Sequence, residues 1–379
     1  MTNAPTVAIP ASAADDPLLR SAMQRAIDLA RRGWGRVAPN PLVGAVVVSE
    51  RLVVGDGWHA EFGGAHAEIV ALRKAGERAR GATMVVTLEP CAHEGKTPPC
   101  VDAIRAAGVG RVIVAVRDPD RAARGGADVL RSAGIIVETG VLAEAAAALI
   151  APFLFVREQP SRPFLALKLA TSIDARIADA GGRSQWISGP QAQSWAHWLR
   201  AGFDAVAIGA ETARRDDPRL TVRGGIVPRR PPVRVVFDRR AALSPEAKLV
   251  HTASDVPTWV IASEEAPAAN VKALETRGVR VFRPRSLEQG LVLLREAGIE
   301  SLLCEGGGAL GVGLLADHLV DRLYWLQGPV WLGSGGVPAF PGVADAKLDE
   351  APRWIPVERR PLGTDTLLVL DRRLCLPGS

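Results

Sequence analysis

Two α/β domains in tandem are predicted, and three observations predict them. A chain of 379 residues exceeds one ordinary domain. Strand and helix patterns alternate along most of its length. A polar, proline-bearing segment, Arg157-Glu158-Gln159-Pro160-Ser161-Arg162-Pro163, interrupts that alternation before the midpoint. The expected extents are 15–158 and 162–376, and no internal repeat relates the halves.

Residues 1–14, rich in Ala, Pro and Thr, read as a loose tail. After Asp16, Leu18, Leu19, Ala22, Ala26 and Leu29 recur at helical spacing until Gly33 and Gly35 end the helix. A strand over 42–48 follows, with 51–54 as its hairpin partner. Next come a helix over 67–74, a strand over 83–88, a helix after Pro98-Pro99, a strand over 111–116, a helix over 127–133 and a strand over 135–138. One Ala-rich helix is expected over 142–154, leading into the boundary segment.

The second half restarts with a strand over 164–170, and further strands are expected at 205–208, 233–237, 258–262, 279–282 and 301–304. Between the first two of these, Ser188, Pro190 and Gln191 fit a capping box, and Trp195, Trp198 and Leu199 form the apolar stripe of a helix. Residues 321–331 and 366–370 read as closing strands.

Composition excludes several classes. With 47% hydrophobic and 23% charged residues, the bulk of the chain is ordinary globular material. Four cysteines (Cys91, Cys100, Cys304, Cys375) are too few for a disulfide scaffold and suit a reducing cytoplasm. The longest uncharged apolar stretch, 145–156, falls short of the roughly 18–20 residues that span a bilayer, and no basic segment precedes an apolar run at the start. No membrane association is therefore expected. A net charge of +5 is mild, and an anionic small molecule accounts for it as well as a nucleic acid does.

The sharpest motif is His66-Ala67-Glu68, followed by Pro90-Cys91 and, after eight intervening residues, Cys100. One imidazole and two thiolates suffice for a catalytic zinc that keeps a fourth position for water, whose pKa the metal lowers to about 7. Glu68, two residues beyond the His ligand, is placed to shuttle a proton without binding the metal, as in zinc deaminases of nucleobases. Cys91 follows a strand and Cys100 stands at a helix start, where free N–H groups favour thiolate. In the second half Glu305-Gly306-Gly307-Gly308-Ala309-Leu310-Gly311 contains a G-x-G-x-x-G match after a strand and before a helix, a setting that favours a phosphate or pyrophosphate. Its late position in the domain argues against a standard Rossmann unit. Cys304 and Cys375 are read as structural.

These residues carry a family resemblance. Pro39-Asn40-Pro41-Leu42-Val43-Gly44, Gly57-Trp58-His59, His66-Ala67-Glu68 and the run from Glu89 to Cys100 resemble the deaminase half of the bifunctional deaminase-reductases of riboflavin biosynthesis. General nucleoside deaminases carry two residues between their cysteines, so the longer loop ending Thr97-Pro98-Pro99-Cys100 is the discriminating mark. Lys168 to Asp174, Ser184-Gln185-Trp186-Ile187-Ser188, Asp216 to Arg223 and the Glu305 glycine run resemble the reductase half, so the resemblance covers about 17–375.

The resemblance implies a cytidine-deaminase-like α/β/α zinc domain followed by a dihydrofolate-reductase-like α/β domain that uses NADPH. It implies zinc ligands His66, Cys91 and Cys100, with Glu68 catalytic, and Asn40, His59, His93 and Lys96 around the pyrimidine or the phosphoribosyl group. Physically, Asn40 is held rigidly between two prolines, and Lys96 is a reasonable phosphate contact beside the zinc loop. In the reductase half, Thr171, Trp186, Thr212, Asp216, Gly307, Gly308, Ala309, Leu310, Gly311, Val312 and Gly313 would line the NADPH site. Lys168, Ser184, Arg200, Leu220, Arg223 and Glu305 would line the substrate site, the two arginines suiting a ribose phosphate. Lys168, Asp216 and Glu305 are candidate proton donors by family position.

Three departures from the family pattern stand out. Asp118-Pro119-Asp120-Arg121 replaces the usual Asp-Pro-Asn-Pro, placing a carboxylate near the expected substrate, where Arg121 and Arg124 would offset it. Ala175 stands where the family has Gly. Arg239-Arg240 follows Asp238 in place of a small residue, and Arg239 is expected to approach the adenosine 2′-phosphate of NADPH.

The expected activity is therefore hydrolytic deamination of 2,5-diamino-6-(5-phosphoribosylamino)pyrimidin-4(3H)-one, then NADPH-dependent reduction of 5-amino-6-(5-phosphoribosylamino)uracil, by a cytoplasmic homo-oligomer. The alternative is a paralogous deaminase-reductase acting on another pyrimidine. A nucleic-acid-binding zinc module fused to a ligand-sensing domain is disfavoured, because basic residues are scattered and one Tyr and eight Phe give no stripe for stacking bases.

Overall fold

The computed structural model describes residues 12–94, 98–120, 125–185, 187–342 and 347–373. The chain divides into two compact units, the first ending at Ile150 and the second beginning at Ala151.

The first unit contains α1 (Pro17–Ala30), β1 (Gly44–Ser49), β2 (Leu52–Trp58), α2 (Ala67–Ala75), β3 (Thr83–Leu88), α3 (Cys100–Ala106), β4 (Arg111–Val116), α4 (Gly126–Ser132), β5 (Ile136–Thr139) and α5 (Ala143–Leu149). Its sheet runs β2-β1-β3-β4-β5, antiparallel as far as β3 and parallel from β3 to β5. Alternate strand residues face opposite ways. Ala45, Val47, Met84, Val86, Val112 and Val114 therefore share one buried cluster with Ala67, Ala71, Ile104 and Leu130 of α2, α3 and α4. Helices α1 and α5 pack over the other face, completing an α/β/α sandwich.

Strand β2 extends past the hairpin partner expected from sequence. Gly55, Asp56 and Gly57 look like a strand terminator, yet a Cβ at Gly57 would lie 2.6 Å from the Ala67 carbonyl oxygen. The glycines let α2, lined with Ala67, Ala71 and Ala75, lie directly on the β2 backbone. The single helix expected over 142–154 is instead two, α5 and α6 (Ala151–Glu158). Pro152 has no N–H to give and its ring opposes the carbonyl four residues back, so the chain breaks at Ile150, whose φ is −107°.

The second unit continues with β6 (Phe164–Thr171), β7 (Arg176–Ala178), α7 (Pro190–Arg200), β8 (Ala205–Gly209), α8 (Ala210–Asp216), β9 (Val233–Phe237), α9 (Lys248–His251), β10 (Thr258–Ile261) and α10 (Ala268–Glu275). It ends with β11 (Arg280–Phe282), α11 (Leu287–Glu296), β12 (Ser301–Cys304), α12 (Gly308–Ala316), β13 (Arg322–Gln327), β14 (Val337–Pro338), β15 (Ile355–Leu362) and β16 (Asp365–Asp371). The main sheet runs β11-β10-β9-β8-β12-β6-β13-β16-β15, parallel from β11 to β13 and antiparallel over the last two pairings. One face packs Leu167, Ala207, Val235 and Leu302 with Leu291, Leu294 and Leu314 of α11 and α12. The other packs Val206, Ile208, Val236 and Val260 with Ala213, Leu249 and Leu274 of α8, α9 and α10.

Two local expectations are corrected here. Helix α7 is capped not by Ser188 but by Gly189, whose amide donates at 2.7 Å to the carboxylate of Asp365, 176 positions further along the chain. Strand β15, sequence Ile-Pro-Val-Glu-Arg-Arg-Pro-Leu, escaped the pattern because its prolines and charges read as loop. It lies at the sheet edge, where a missing N–H costs no ladder bond and charges discourage further pairing.

Candidate functional site

In the first unit, His66 stands at the N-cap of α2, with extended backbone, so its ring leaves the helix toward the end of β3. Its Nδ1 lies 3.2 Å from Cys100 Sγ and 3.6 Å from Cys91 Sγ. Cys91 follows β3 and Cys100 opens α3, and the Cys100 amide donates to Cys91 Sγ at 3.4 Å. All three ligand atoms lie within 4.8 Å of one another. A tetrahedral zinc, with Zn–S near 2.3 Å and Zn–N near 2.0 Å, holds its ligand atoms about 3.5 Å apart. The donor set and spacing therefore fit a zinc ion with one position open.

The electrostatics follow from that crowding. The Cys100 thiol, His66 and the Cys100 amide pull the Cys91 thiol down to about 4, whereas Cys91 and burial push Cys100 upward. The Cys91 contact raises His66 above its ordinary value, against burial. Glu68, on the first turn of α2 and 3% exposed, is pushed up by burial. A carboxyl so raised is suited to hold and release a proton.

His59 closes one side of this site, its ring meeting that of His66 edge-on with centroids 5.5 Å apart. Its Nδ1 donates to the Ala65 carbonyl and its Nε2 accepts from the Asn40 amide, each at 3.1 Å, an assignment that requires a neutral ring. Burial holds its pKa below the ordinary value, consistent with that tautomer. Asn40 and His59 are thus brought together with the His66 cluster. His93 is exposed. Lys96, Arg121 and Arg124 lie outside the described residues. Asp118 is buried, and its carboxylate accepts from the Asp120 amide at 2.9 Å.

Glu89 was quoted within the motif but given no role. It is 6% exposed and accepts three backbone N–H groups. A carboxylate closing an otherwise apolar strand, Thr-Met-Val-Val-Thr-Leu, is the signal that could have singled it out.

In the second unit a cavity of about 1170 Å³ opens at the carboxyl ends of the parallel strands. Its wall takes Lys168 and Ala170 from β6, Phe237 to Arg240 after β9, Ile261 to Ser263 after β10, Pro284 and Arg285 after β11, and Glu305 after β12. This is where open parallel sheets bind ligands. From β11 to β6 is five strand steps, about 24 Å, which suits an extended dinucleotide.

Of the sequence candidates, Lys168, Ser184, Thr212, Asp216, Glu305, Gly307, Gly308, Ala309 and Leu310 line this cavity. Thr171 is fully buried and its hydroxyl accepts from the Trp325 indole at 2.8 Å, turned away from the wall that its neighbour Ala170 forms. Gly311, Val312 and Gly313 continue α12 behind the wall, and Trp186 lies outside the described residues. Arg200 pairs bidentately with Glu305 at 2.5 and 2.8 Å and also donates to the Thr221 carbonyl at 3.0 Å. Burial would raise the Glu305 carboxyl, but Arg200 and Lys168 bring it below the ordinary value. Burial lowers Lys168, with Glu305 opposing. Leu220 is packed in the core with φ +49°, and Arg223 is exposed.

Ala175 adopts φ +58°, the left-handed region in which a Cβ is disfavoured, and its carbonyl accepts from the Ala339 amide. Arg239, Arg240, Arg215 and Arg285 all line the cavity, and only the first of them is expected near the cofactor from sequence.

Comparison with known proteins finds a family match in each unit. The family model described as cytidine and deoxycytidylate deaminase zinc-binding region matches residues 18–116, and that described as RibD C-terminal domain matches 163–368. The chain is 41% identical to riboflavin biosynthesis protein RibD of Aquifex aeolicus, covering 83% of this chain and 87% of that protein. It is 38% identical to RibD of Escherichia coli over 92% of this chain and 98% of that one. Among solved structures, a diaminohydroxyphosphoribosylaminopyrimidine deaminase/5-amino-6-(5-phosphoribosylamino)uracil reductase from Thermotoga maritima superposes with TM-score 0.78 at 35% identity. It covers 93% of this chain and 98% of its own.

Proposed function

The chain belongs to the RibD family of bifunctional riboflavin-biosynthesis deaminase-reductases, and from that premise we propose the substrates and the residues that act on them. The first step is hydrolytic deamination of 2,5-diamino-6-(5-phosphoribosylamino)pyrimidin-4(3H)-one, and the second is reduction of 5-amino-6-(5-phosphoribosylamino)uracil with hydride from NADPH. The first unit carries the deaminase and the second the reductase. The observation that carries this reading is the convergence of His66, Cys91 and Cys100 beside a buried Glu68.

His66, Cys91 and Cys100 hold the zinc, which when bound supplies an acidified water at neutral pH. Glu68 takes a proton from the attacking water and returns it to the amino group that leaves as ammonia. Its buried, raised carboxyl is what lets it act in both directions. Neutral His59 fixes the Asn40 amide, leaving Asn40 oriented toward the pyrimidine. Lys96 and His93 take the phosphoribosyl end.

In the second unit the cavity at the carboxyl ends of the strands, walled by Lys168, Thr212, Asp216 and Glu305, would hold NADPH, which when bound would supply hydride for reduction of the sugar carbon. The Arg200–Glu305 pair, with Lys168 against Glu305, orients the ribose phosphate side. Thr212, Asp216 and the start of α12 would bound the cofactor, and Arg239 would take its 2′-phosphate. The charge of Asp120 and the Cβ of Ala175 are the departures that would favour a different pyrimidine. This reading places the enzyme in the cytoplasm as a homo-oligomer, a state that sedimentation of the purified chain reads directly. No helix among the described residues is long and apolar enough to cross a membrane.

The test supplies the full chain, loaded with zinc, with the diaminopyrimidine and NADPH, and follows ammonia release and NADPH oxidation separately. Both are expected, in that order. No ammonia from this substrate, with turnover of another aminopyrimidine, overturns the substrate assignment in favour of the paralogous reading.

A further inference from the structure

We propose that Glu89 is a positioning residue of the deaminase site, a buried clasp that sets the placement of Cys91 and of the Asp118–Asp120 turn together. The proposal deepens the deaminase reading and rests on it. The three hydrogen bonds of the Glu89 carboxylate all go to backbone amides, so it acts through backbone.

The side chain stands between Leu88, the last residue of β3, and Pro90-Cys91. One carboxylate oxygen accepts from the Asp118 amide at 3.1 Å. The other accepts from the Gly125 amide at 3.1 Å and the Ala127 amide at 2.9 Å. The Glu89 amide in turn donates to the Val116 carbonyl at 2.9 Å, prolonging the β3–β4 pairing into the turn. One buried carboxylate thus fixes the exit from β4 and the first turn of α4 onto the strand end that delivers the thiol.

The packing around it permits little slack. A Cβ at Gly126 would lie 1.8 Å from the Pro90 carbonyl oxygen, so α4 abuts the backbone immediately before Cys91. The Cys91 carbonyl accepts from Val101 of α3 at 3.3 Å, which holds the ligand from its other side. A neutral side chain of the same shape cannot make all three Glu89 bonds. A glutamine offers one acceptor oxygen and one NH₂ group. Whichever way the amide is turned, a donor faces either the Asp118 N–H or the Gly125 and Ala127 pair. Groups that orient metal ligands at one remove commonly change affinity or activity by about 10–100-fold when replaced.

The experiment compares wild type, Glu89→Gln and Glu89→Asp as full chains. It measures zinc affinity by competition with a chromogenic chelator, the thiolate-to-metal absorption of the cobalt-substituted protein, and kcat and KM for ammonia release. NADPH oxidation on the uracil substrate serves as the control within the same molecule. For Glu89→Gln we expect zinc affinity to fall about tenfold, the cobalt band to shift, KM for the diaminopyrimidine to rise several-fold, and the reductase to be unchanged. Glu89→Asp, which keeps acceptors on both oxygens but on a side chain one methylene shorter, is expected to recover only part of each loss, leaving a smaller band shift and a smaller rise in KM. Unchanged zinc affinity, cobalt spectrum and KM in Glu89→Gln would overturn the proposal. So would a variant that is merely less stable, with a native cobalt band and native KM in the fraction that binds metal. Should Glu89→Gln fail to fold, the same measurements on Glu89→Asp decide: a shifted band and raised KM support the clasp, native values overturn it. Absence of ammonia release by wild type would sink the deaminase reading, while the affinity and spectral measurements would still judge Glu89.

Discussion

The two units solve different recognition problems, and their sites differ accordingly. The metal cluster of the first is compact: three ligand atoms lie within 4.8 Å of one another, contributed by the beginning of one helix, the end of a strand and the beginning of the next helix. The cavity of the second spreads across the carboxyl ends of six strands. Few, chemically exacting donors leave a dense signature in sequence, whereas a long cofactor is cradled by many chain ends, each contributing one or two ordinary residues. Losing one group should therefore be severe in the first unit and graded in the second.

The largest effect is expected for Glu68→Ala, which removes the proton carrier and should lower deaminase kcat by about 10²–10⁴-fold. Zinc content and NADPH oxidation should persist, and a variant that keeps ammonia release would break the contrast. Next, Arg200→Met strands the buried Glu305 carboxylate. Breaking a buried pair in this way costs about 3–5 kcal/mol, read as a lowered melting transition together with reduced reductase activity and intact deamination. Arg239→Ala tests the graded end. About a tenfold loss of preference for NADPH over NADH in kcat/KM is expected, corresponding to roughly 1.4 kcal/mol, and an unchanged ratio removes Arg239 from the 2′-phosphate. The smallest effect is expected for Asp365→Ala, which removes the acceptor of the Gly189 amide at the start of α7 and should cost about 1 kcal/mol by denaturant unfolding.

Legibility in the sequence followed the same division. Strands such as Thr83–Leu88 and Arg111–Val116 were readable because they are short apolar runs between turn signals. Strand β2 was cut short because glycines demanded by helix–strand contact look like punctuation. In the deaminase site the ligands and Glu68 were legible, but Glu89 was not, because its partners are backbone amides about 30–40 positions away. In the reductase site Glu305 and Lys168 were legible through the family pattern. Arg215, Arg240 and Arg285 were not, since an arginine on a loop is ordinary until the strand order brings that loop to a shared rim.

Sequence by itself determined the two-part α/β organisation, the donor chemistry of the metal cluster and the presence of a phosphate-suited glycine turn. These depend on residue type and short-range spacing, which the covalent chain carries directly. Only the tertiary structure decided that Asp365 accepts from the Gly189 amide ahead of α7, that Thr171 faces Trp325, and that Glu89 binds both the turn after β4 and the start of α4. Each of those joins groups remote in the chain. A buried polar atom must find some partner to offset its lost hydration, but which partner is fixed only when the sheet order and helix packing bring one within reach.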